Sequence, residues 1–383
     1  MHSLFSYFNP IEDEIISINW QSSQIGHCIN KHSFNNEPNM EDVKVAFFLV
    51  PECTGTENKL TDTSLVRKEL YALHFEDLPT LVDLGDLQIK STKKETFKEI
   101  ELVCIKLLKE NIIPLIIGGG NDISYAIYKA YASLEKIITF TSVDNSFDLG
   151  TKEDKINTHS YLSKIIAYQP NHLFNYCNIA YQSYFESPAA TDMLDKIYFD
   201  SYRLGFIKSN IFEVEPIMRN TDFLSFDISA ISQAYASANV FASPNGLDGV
   251  ESCSIMRYAG LSDKLTSCGI FEYNSTMDNH LQTAKIIAQM CWYFLDGFKQ
   301  RKNELNPRLE ECTKYTVSFD DGMNEVEFYK SNKTGRWWIG VPFSNSDNNQ
   351  KDNYFVACSY RDYEKSNQGV PPERWIKTYQ KMN

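Results

Sequence analysis

The sequence predicts an α/β fold: a three-layer, doubly wound, mostly parallel sheet carrying a small C-terminal β-rich appendage. Apolar, β-branched runs alternate with helical periods from residue 43 to about residue 300, as repeated strand–helix units around a buried parallel sheet do. After Phe298 the character changes to a charged stretch that ends at Pro307, which reads as a linker. Short strand-like segments separated by turn residues then follow, a pattern of hairpins rather than of crossovers.

Taken in order, the candidate strands of the main domain are Val43–Leu49, Thr80–Asp83, Ile113–Ile117, Ile137–Val143, Cys177–Tyr181, Phe223–Phe226 and Thr266–Phe271. Between them, Thr96–Glu110 places Phe97, Ile100, Cys104, Leu107 and Leu108 on one helical stripe, and Asn279–Phe298 reads as a second long helix. In the appendage, Tyr315–Phe319, Glu325–Tyr329 and Trp337–Val341 read as strands, with Asp-Asp-Gly and Asn-Lys-Thr-Gly turns between them. The expected organisation is an N-terminal segment over 1–42, an α/β domain over 43–299, and a β-rich appendage with a helical tail over 300–383. No internal repeat or low-complexity tract is visible.

With 383 residues, 43% of them hydrophobic, the chain is long enough to bury a sizeable core. A formal net charge of -13 argues against a broad electrostatic footprint on nucleic acid or anionic lipid. No apolar run reaches the length of a membrane span, and the first residues lack the pattern of a secretory signal, so membrane insertion and secretion are not expected. The nine cysteines are scattered without C-x-x-C pairs, which fits free thiols in a reducing cytoplasm.

Four segments at expected strand ends carry a family resemblance. They are Gly118-Gly119-Gly120-Asn121-Asp122, Ser142-Val143-Asp144-Asn145-Ser146-Phe147-Asp148, Ser225-Phe226-Asp227-Ile228-Ser229, and Asn245-Gly246-Leu247-Asp248-Gly249-Val250-Glu251. Their order and spacing resemble the signature segments of the arginase, agmatinase and formimidoylglutamase superfamily, nearest to its bacterial formimidoylglutamase-like branch. Val66–Leu70 and Val82–Asp86 resemble its first helix and its Asp-Leu-Gly-Asp segment. The resemblance spans about residues 43–300 and implies an arginase-like three-layer fold.

That family holds two manganese ions through six side chains, and the paired cations make a bridging hydroxide nucleophilic at neutral pH. The resemblance assigns the six places here to Asn121, Asp144, Ser146, Asp148, Asp227 and Ser229. It implies a first site of Asn121, Asp144, Asp148 and Asp227, the asparagine offering an amide oxygen. The second site is degenerate, because Ser146 and Ser229 stand where histidine and aspartate are expected. An all-oxygen set suits magnesium or calcium better than a manganese pair. The competing reading is that no ion binds and that hydrogen bonds from Asn121, Ser146 and Ser229 stabilise the aspartates.

Two further residues take catalytic readings from the resemblance. Glu251 stands where the family places a glutamate that contacts the cationic group of the substrate; the alternative is a helix-capping glutamate. His159 lies near the family's proton-shuttling histidine, although Ser160 replaces the glycine that usually follows; the alternative is coincidence. The Gly118-Gly119-Gly120 run lacks the surroundings of a phosphate loop and reads as a tight turn. The Trp337-Trp338 pair and the cluster of Tyr354, Phe355, Tyr360, Tyr363 and Trp375 read as the core of the appendage or its seam with the main domain; the alternative is a binding surface.

The expected function is that of a ureohydrolase fold kept as a binding or scaffold protein, a pseudoenzyme whose appendage meets a protein partner. Two alternatives stand beside it. One is a hydrolase of linear amidine or guanidine C–N bonds using one remaining ion; the other is a sensor of a small amidine or guanidine ligand. Self-association into a homo-oligomer is expected from the family.

Overall fold

In the computed structural model, which describes residues 3–150, 155–319, 324–344 and 351–383, ten strands form the central sheet. They are β1 (Phe8–Asn9), β2 (Asn30–Lys31), β3 (Val45–Val50), β4 (Leu81–Leu87), β5 (Ile113–Gly118), β6 (Ile138–Val143), β7 (Leu173–Tyr181), β8 (Asp200–Arg203), β9 (Phe223–Asp227) and β10 (Ser267–Phe271). Their order is β1-β4-β3-β5-β10-β9-β6-β7-β8, with β2 paired beside β4. Only the β1–β4 pairing is antiparallel.

Strand periodicity divides the interior into two cores, one on each face of the sheet. Along β3, Val45, Phe47 and Leu49 enter one core while Ala46, Phe48 and Val50 enter the other. The first core is closed by helices Gly249–Leu261 and Gln282–Lys299, the second by Lys93–Lys109 and Ile123–Ser133. The Lys93–Lys109 helix starts at a capping box, in which Thr92 and Glu95 satisfy each other's backbone N–H groups. The expected three-layer, mostly parallel sheet is therefore present.

Strands β1, β2 and β8 were not legible, because they are only two to four residues long and pair at the sheet edges. The helix expected over Asn279–Phe298 begins at Gln282, after His280 and Leu281 adopt positive φ values of 62° and 58°. No helix among the described residues is long and apolar enough to cross a membrane.

The appendage is an antiparallel sheet of β11 (Cys312–Phe319), β12 (Asn324–Ser331), β13 (Trp337–Ser344) and β14 (Lys351–Cys358), in that order, followed by helices Tyr360–Asn367 and Glu373–Met382. The Asp-Asp-Gly turn expected at 320–322 lies outside the described residues. Trp337 stacks on Tyr315 and Tyr363 at 5.2 Å in the appendage's own core. Its neighbour Trp338 points the other way, under the Arg219 guanidinium at 5.0 Å.

Docking of the appendage is polar as well as apolar. Arg219, at the end of helix Val214–Asn220, donates to the carbonyls of Trp337 and Cys358 at 3.0–3.2 Å. Asn220 gives its amide nitrogen to the Ala357 carbonyl at 3.0 Å and takes the Ala357 N–H on its oxygen at 2.9 Å. That two-way contact is the hydrogen-bond pattern of a neighbouring strand, so Asn220 covers part of the open edge of β14.

Candidate metal centre

Four adjacent strands deliver the site. In the order β5-β10-β9-β6, their carboxyl ends carry Asn121, Glu272, Asp227 and Asp144. Ligands in parallel sheets collect at this end, where the chain leaves one strand for a distant one. Ligand oxygens of Asp144, Asp148 and Asp227 lie within 4.8 Å of one another, and all three residues are buried. Asp148 reaches the cluster from a backbone with φ of 51°.

The six resemblance positions do come together, but their roles divide. Asn121 donates from Nδ2 to Asp144 Oδ2 at 3.2 Å, to Asp227 Oδ2 at 3.3 Å and to the Tyr161 hydroxyl at 3.3 Å. Its Oδ1 accepts from Ser225 Oγ at 2.7 Å and from Ser124 Oγ at 3.4 Å. The amide nitrogen, not the expected oxygen, thus faces the carboxylates. Two serine hydroxyls occupy the oxygen side, and the acids require donors.

Ser146 and Ser229 also act as donors. Ser146 gives its N–H to Asp144 Oδ1 at 3.0 Å and its hydroxyl to Asp148 Oδ1 at 3.1 Å. The N–H of Ser229 donates to Asp227 Oδ1 at 2.7 Å. These contacts do not neutralise the trio. Burial first, and then the neighbouring carboxylates, push Asp144, Asp148 and Asp227 well above the usual carboxylate range.

Glu272 is a component that sequence reading missed. It is 1% exposed, sits at φ of 69°, and accepts from the Asn121 N–H at 2.7 Å, Thr56 Oγ1 at 2.5 Å, Asn58 Nδ2 at 2.6 Å and Thr158 Oγ1 at 2.5 Å. One carboxylate therefore ties the segments that follow β3, β5 and β6 to the end of β10. The available signal was its place directly after a buried central strand.

Glu251, by contrast, is not brought to the aspartates. It is the N3 residue of helix Gly249–Leu261, where it exchanges capping hydrogen bonds with Asp248 and pairs with Lys208 at 2.6 Å. The capping alternative describes its position, because a helix start needs an acceptor for its free N–H groups. His159 does reach the site: its Nδ1 lies 3.5 Å from Asp148 Oδ1 and its ring stands edge-on to Phe241 at 4.9 Å.

The glycine run bends at the end of β5, as expected, but without a left-handed backbone. None of Gly118, Gly119 and Gly120 has a positive φ. Instead, a Cβ at Gly119 would meet Cys53 Sγ and the Glu52 carbonyl at 2.4 Å, so close packing between the segments after β3 and β5 requires glycine there.

A cleft of about 280 Å³ opens over two of the three acids, lined by Asp148 and Asp227 together with His159, Phe185 and Phe241. The arrangement fits one hard cation. Three acidic oxygens converge without an arginine or lysine ion pair to any of the three among the described residues. At the positions assigned to a second ion, Ser146 and Ser229 present backbone N–H groups to the acids, and Ser146 its hydroxyl as well.

Comparison with known proteins places this geometry in context. The sequence model of the arginase family matches residues 59–296, more than half of the chain. A formimidoylglutamase of Legionella pneumophila is 22% identical over 284 residues, covering 68% of this chain and 88% of the relative. The structure of formimidoylglutamase from Bacillus subtilis superposes with a TM-score of 0.65 at 20% identity, covering 74% of this chain and 95% of that one. A Trypanosoma cruzi formiminoglutamase with Mn2+ superposes with a TM-score of 0.63 at 17% identity, covering 70% and 97%.

Proposed function

We propose, given that this chain belongs to the arginase family, that its site is a single-cation carboxylate site serving a binding protein rather than the centre of a two-metal hydrolase. One observation carries the reading. Ser146 and Ser229, where the second ion's ligands would stand, carry neither imidazole nor carboxylate, and the Ser146 hydroxyl is already a donor to Asp148. A second ion would gain only neutral hydroxyls at these positions and would have to take the Ser146 hydroxyl from Asp148.

Asp144, Asp148 and Asp227 would hold the one ion, and Asn121 could add its oxygen after turning its amide. A bound magnesium or calcium would supply charge that the buried trio lacks and a Lewis-acidic point at the cleft floor. The chain's own residues shape the rest. Phe185 and Phe241 limit the width of the cleft, and His159 places an imidazole beside Asp148 at its mouth. An amidine or guanidine is a suitable ligand, being cationic and flat against an acidic floor with aromatic walls. The cytoplasmic location and the homo-oligomeric state expected above belong to the same proposal.

Calorimetric titration of chelator-treated protein with magnesium, calcium and manganese tests it, together with assays for urea, ammonia or formamide release from arginine, agmatine and formimidoyl-glutamate. One ion is expected to bind, with no turnover. Manganese bound at a stoichiometry of two, or chelator-sensitive turnover on the order of 1 per second, would overturn the reading. His159 beside Asp148 favours a second reading, one-ion hydrolysis, and slow turnover lost in His159→Ala would support it.

A further inference from the structure

A second cleft, of about 460 Å³, lies at the seam between the α/β domain and the appendage, with β8 on one side and the two C-terminal helices on the other. Its volume is in the range of small-molecule sites. Five cations and four acids line it, but they are not equivalent. The acids are engaged: Asp362 and Glu213 pair with Arg374 at 3.3 and 3.8 Å, and Asp200 and Glu373 pair with Lys377 at 3.3 and 3.0 Å.

Three cations are left over. Arg203, Arg361 and Lys365 form no ion pair among the described residues, and all three are exposed. Arg203 is held in place by its Nε, which donates to the Tyr181 hydroxyl at 3.1 Å, with the guanidinium 6.0 Å above that ring. Arg361 is held by a hydrogen bond from Nη1 to Asn210 Oδ1. Each guanidinium is thereby oriented while its other N–H groups have no partner among the described residues, the condition under which an arginine fork recognises carboxylate or phosphate. The chain as a whole carries -13, so its general field repels anions, and any anion bound here is held by local contacts. Phe206, 36% exposed and stacked on Tyr202 at 5.7 Å, and Val370, 54% exposed, supply apolar walls.

We propose that this seam cleft binds a small organic anion, its phosphate or carboxylate gripped by Arg203, Arg361 and Lys365 and its body lying on Phe206 and Val370. Arg203 belongs to the α/β domain, and Arg361 and Lys365 belong to the appendage. The ligand therefore bridges the two units and stabilises their docking. The site is separate from the aspartate trio and does not depend on what binds there.

Calorimetric titration of the full chain with phenyl phosphate, benzoate, inorganic phosphate and neutral benzyl alcohol tests this. Phenyl phosphate or benzoate is expected to saturate at one equivalent and to raise the melting temperature, and whichever binds more tightly identifies the anionic group. Arg203→Gln and Arg361→Gln should each weaken that binding about tenfold. Both side chains are exposed, so unchanged melting of the unliganded variants is the folding control. Lack of saturable binding by every anion, equal binding of benzyl alcohol, or binding unaffected by either variant would overturn the proposal. Inorganic phosphate binding as tightly as phenyl phosphate would overturn the role given to Phe206 and Val370.

Discussion

Replacing Asp148 with asparagine turns the electrostatics of the candidate metal centre into a measurable quantity. Asparagine is the suitable replacement because residue 148 has φ of 51°, a conformation that asparagine tolerates better than most residues bearing a Cβ. The three acidic oxygens lie within 4.8 Å of one another. Two unit charges at that separation repel by about 3 kcal/mol at an effective dielectric of about 20. Partial protonation relieves some of this, and the weaker, uncharged acceptor left for Ser146 Oγ offsets about 1 kcal/mol more. A net stabilisation of about 1–2 kcal/mol is expected for Asp148→Asn in chelator-treated protein near pH 8.

The pH dependence has a definite sign. Burial and mutual repulsion raise all three carboxyls in the folded chain, so the folded state binds more protons than the unfolded one above about pH 4. Stability contributed by these groups therefore falls as pH rises toward their folded values, and the fall should be shallower in Asp148→Asn. Magnesium or calcium should reverse the ranking, because an ion that binds only the folded state stabilises the parent more than the variant. Urea denaturation at about pH 5 and about pH 8, with chelator and with either ion, provides the data. A variant less stable than the parent in chelator near pH 8 would refute the reasoning.

Asn220→Ala leaves the N–H of Ala357 without its partner at the edge of β14 and its carbonyl with Arg374 alone, and Arg219→Met removes donors from Trp337 and Cys358. Each should cost about 2–4 kcal/mol and speed proteolysis between residues 300 and 311; unchanged cleavage would show that apolar packing alone holds the appendage. Lys381 lies over Phe174 and Phe199 and donates to Asn175, and burial first, with Lys377 adding, lowers its pKa to about 8 despite the opposing pull of Asp200. Its unfolded value is higher, so its contribution to stability should rise from about pH 8 to about pH 10.5. Subtracting Lys381→Met from the parent should isolate that rise, and parallel curves would refute it.

Much of this protein was legible in sequence because the signals were local. A buried strand such as Val45–Val50 or Ile113–Gly118 declares itself within a window of six residues, whatever lies elsewhere in the chain. The appendage announced itself in the same way, through Trp337 and the turns around it. That Asn121, Ser146 and Ser229 carry neither imidazole nor carboxylate is likewise a fact of residue identity, and the strand-end positions of Asp144 and Asp227 followed from the flanking strands. Strand β8, Asp200–Arg203, was not legible because its pairing with β7 rather than its composition makes it a strand.

Tertiary structure decided what those residues do. Asn121 turns its nitrogen to the acids because Ser225, 104 positions away, occupies its oxygen. Glu272 rather than Glu251 stands against the site, since its acceptors are filled by donors from segments 114 to 216 positions distant. Glu251 instead answers the nearest demand, the free N–H groups of its own helix. Hydrogen-bond partners for buried polar groups come from the whole fold, so sequence established which groups were available and only the packed strands determined which of them met.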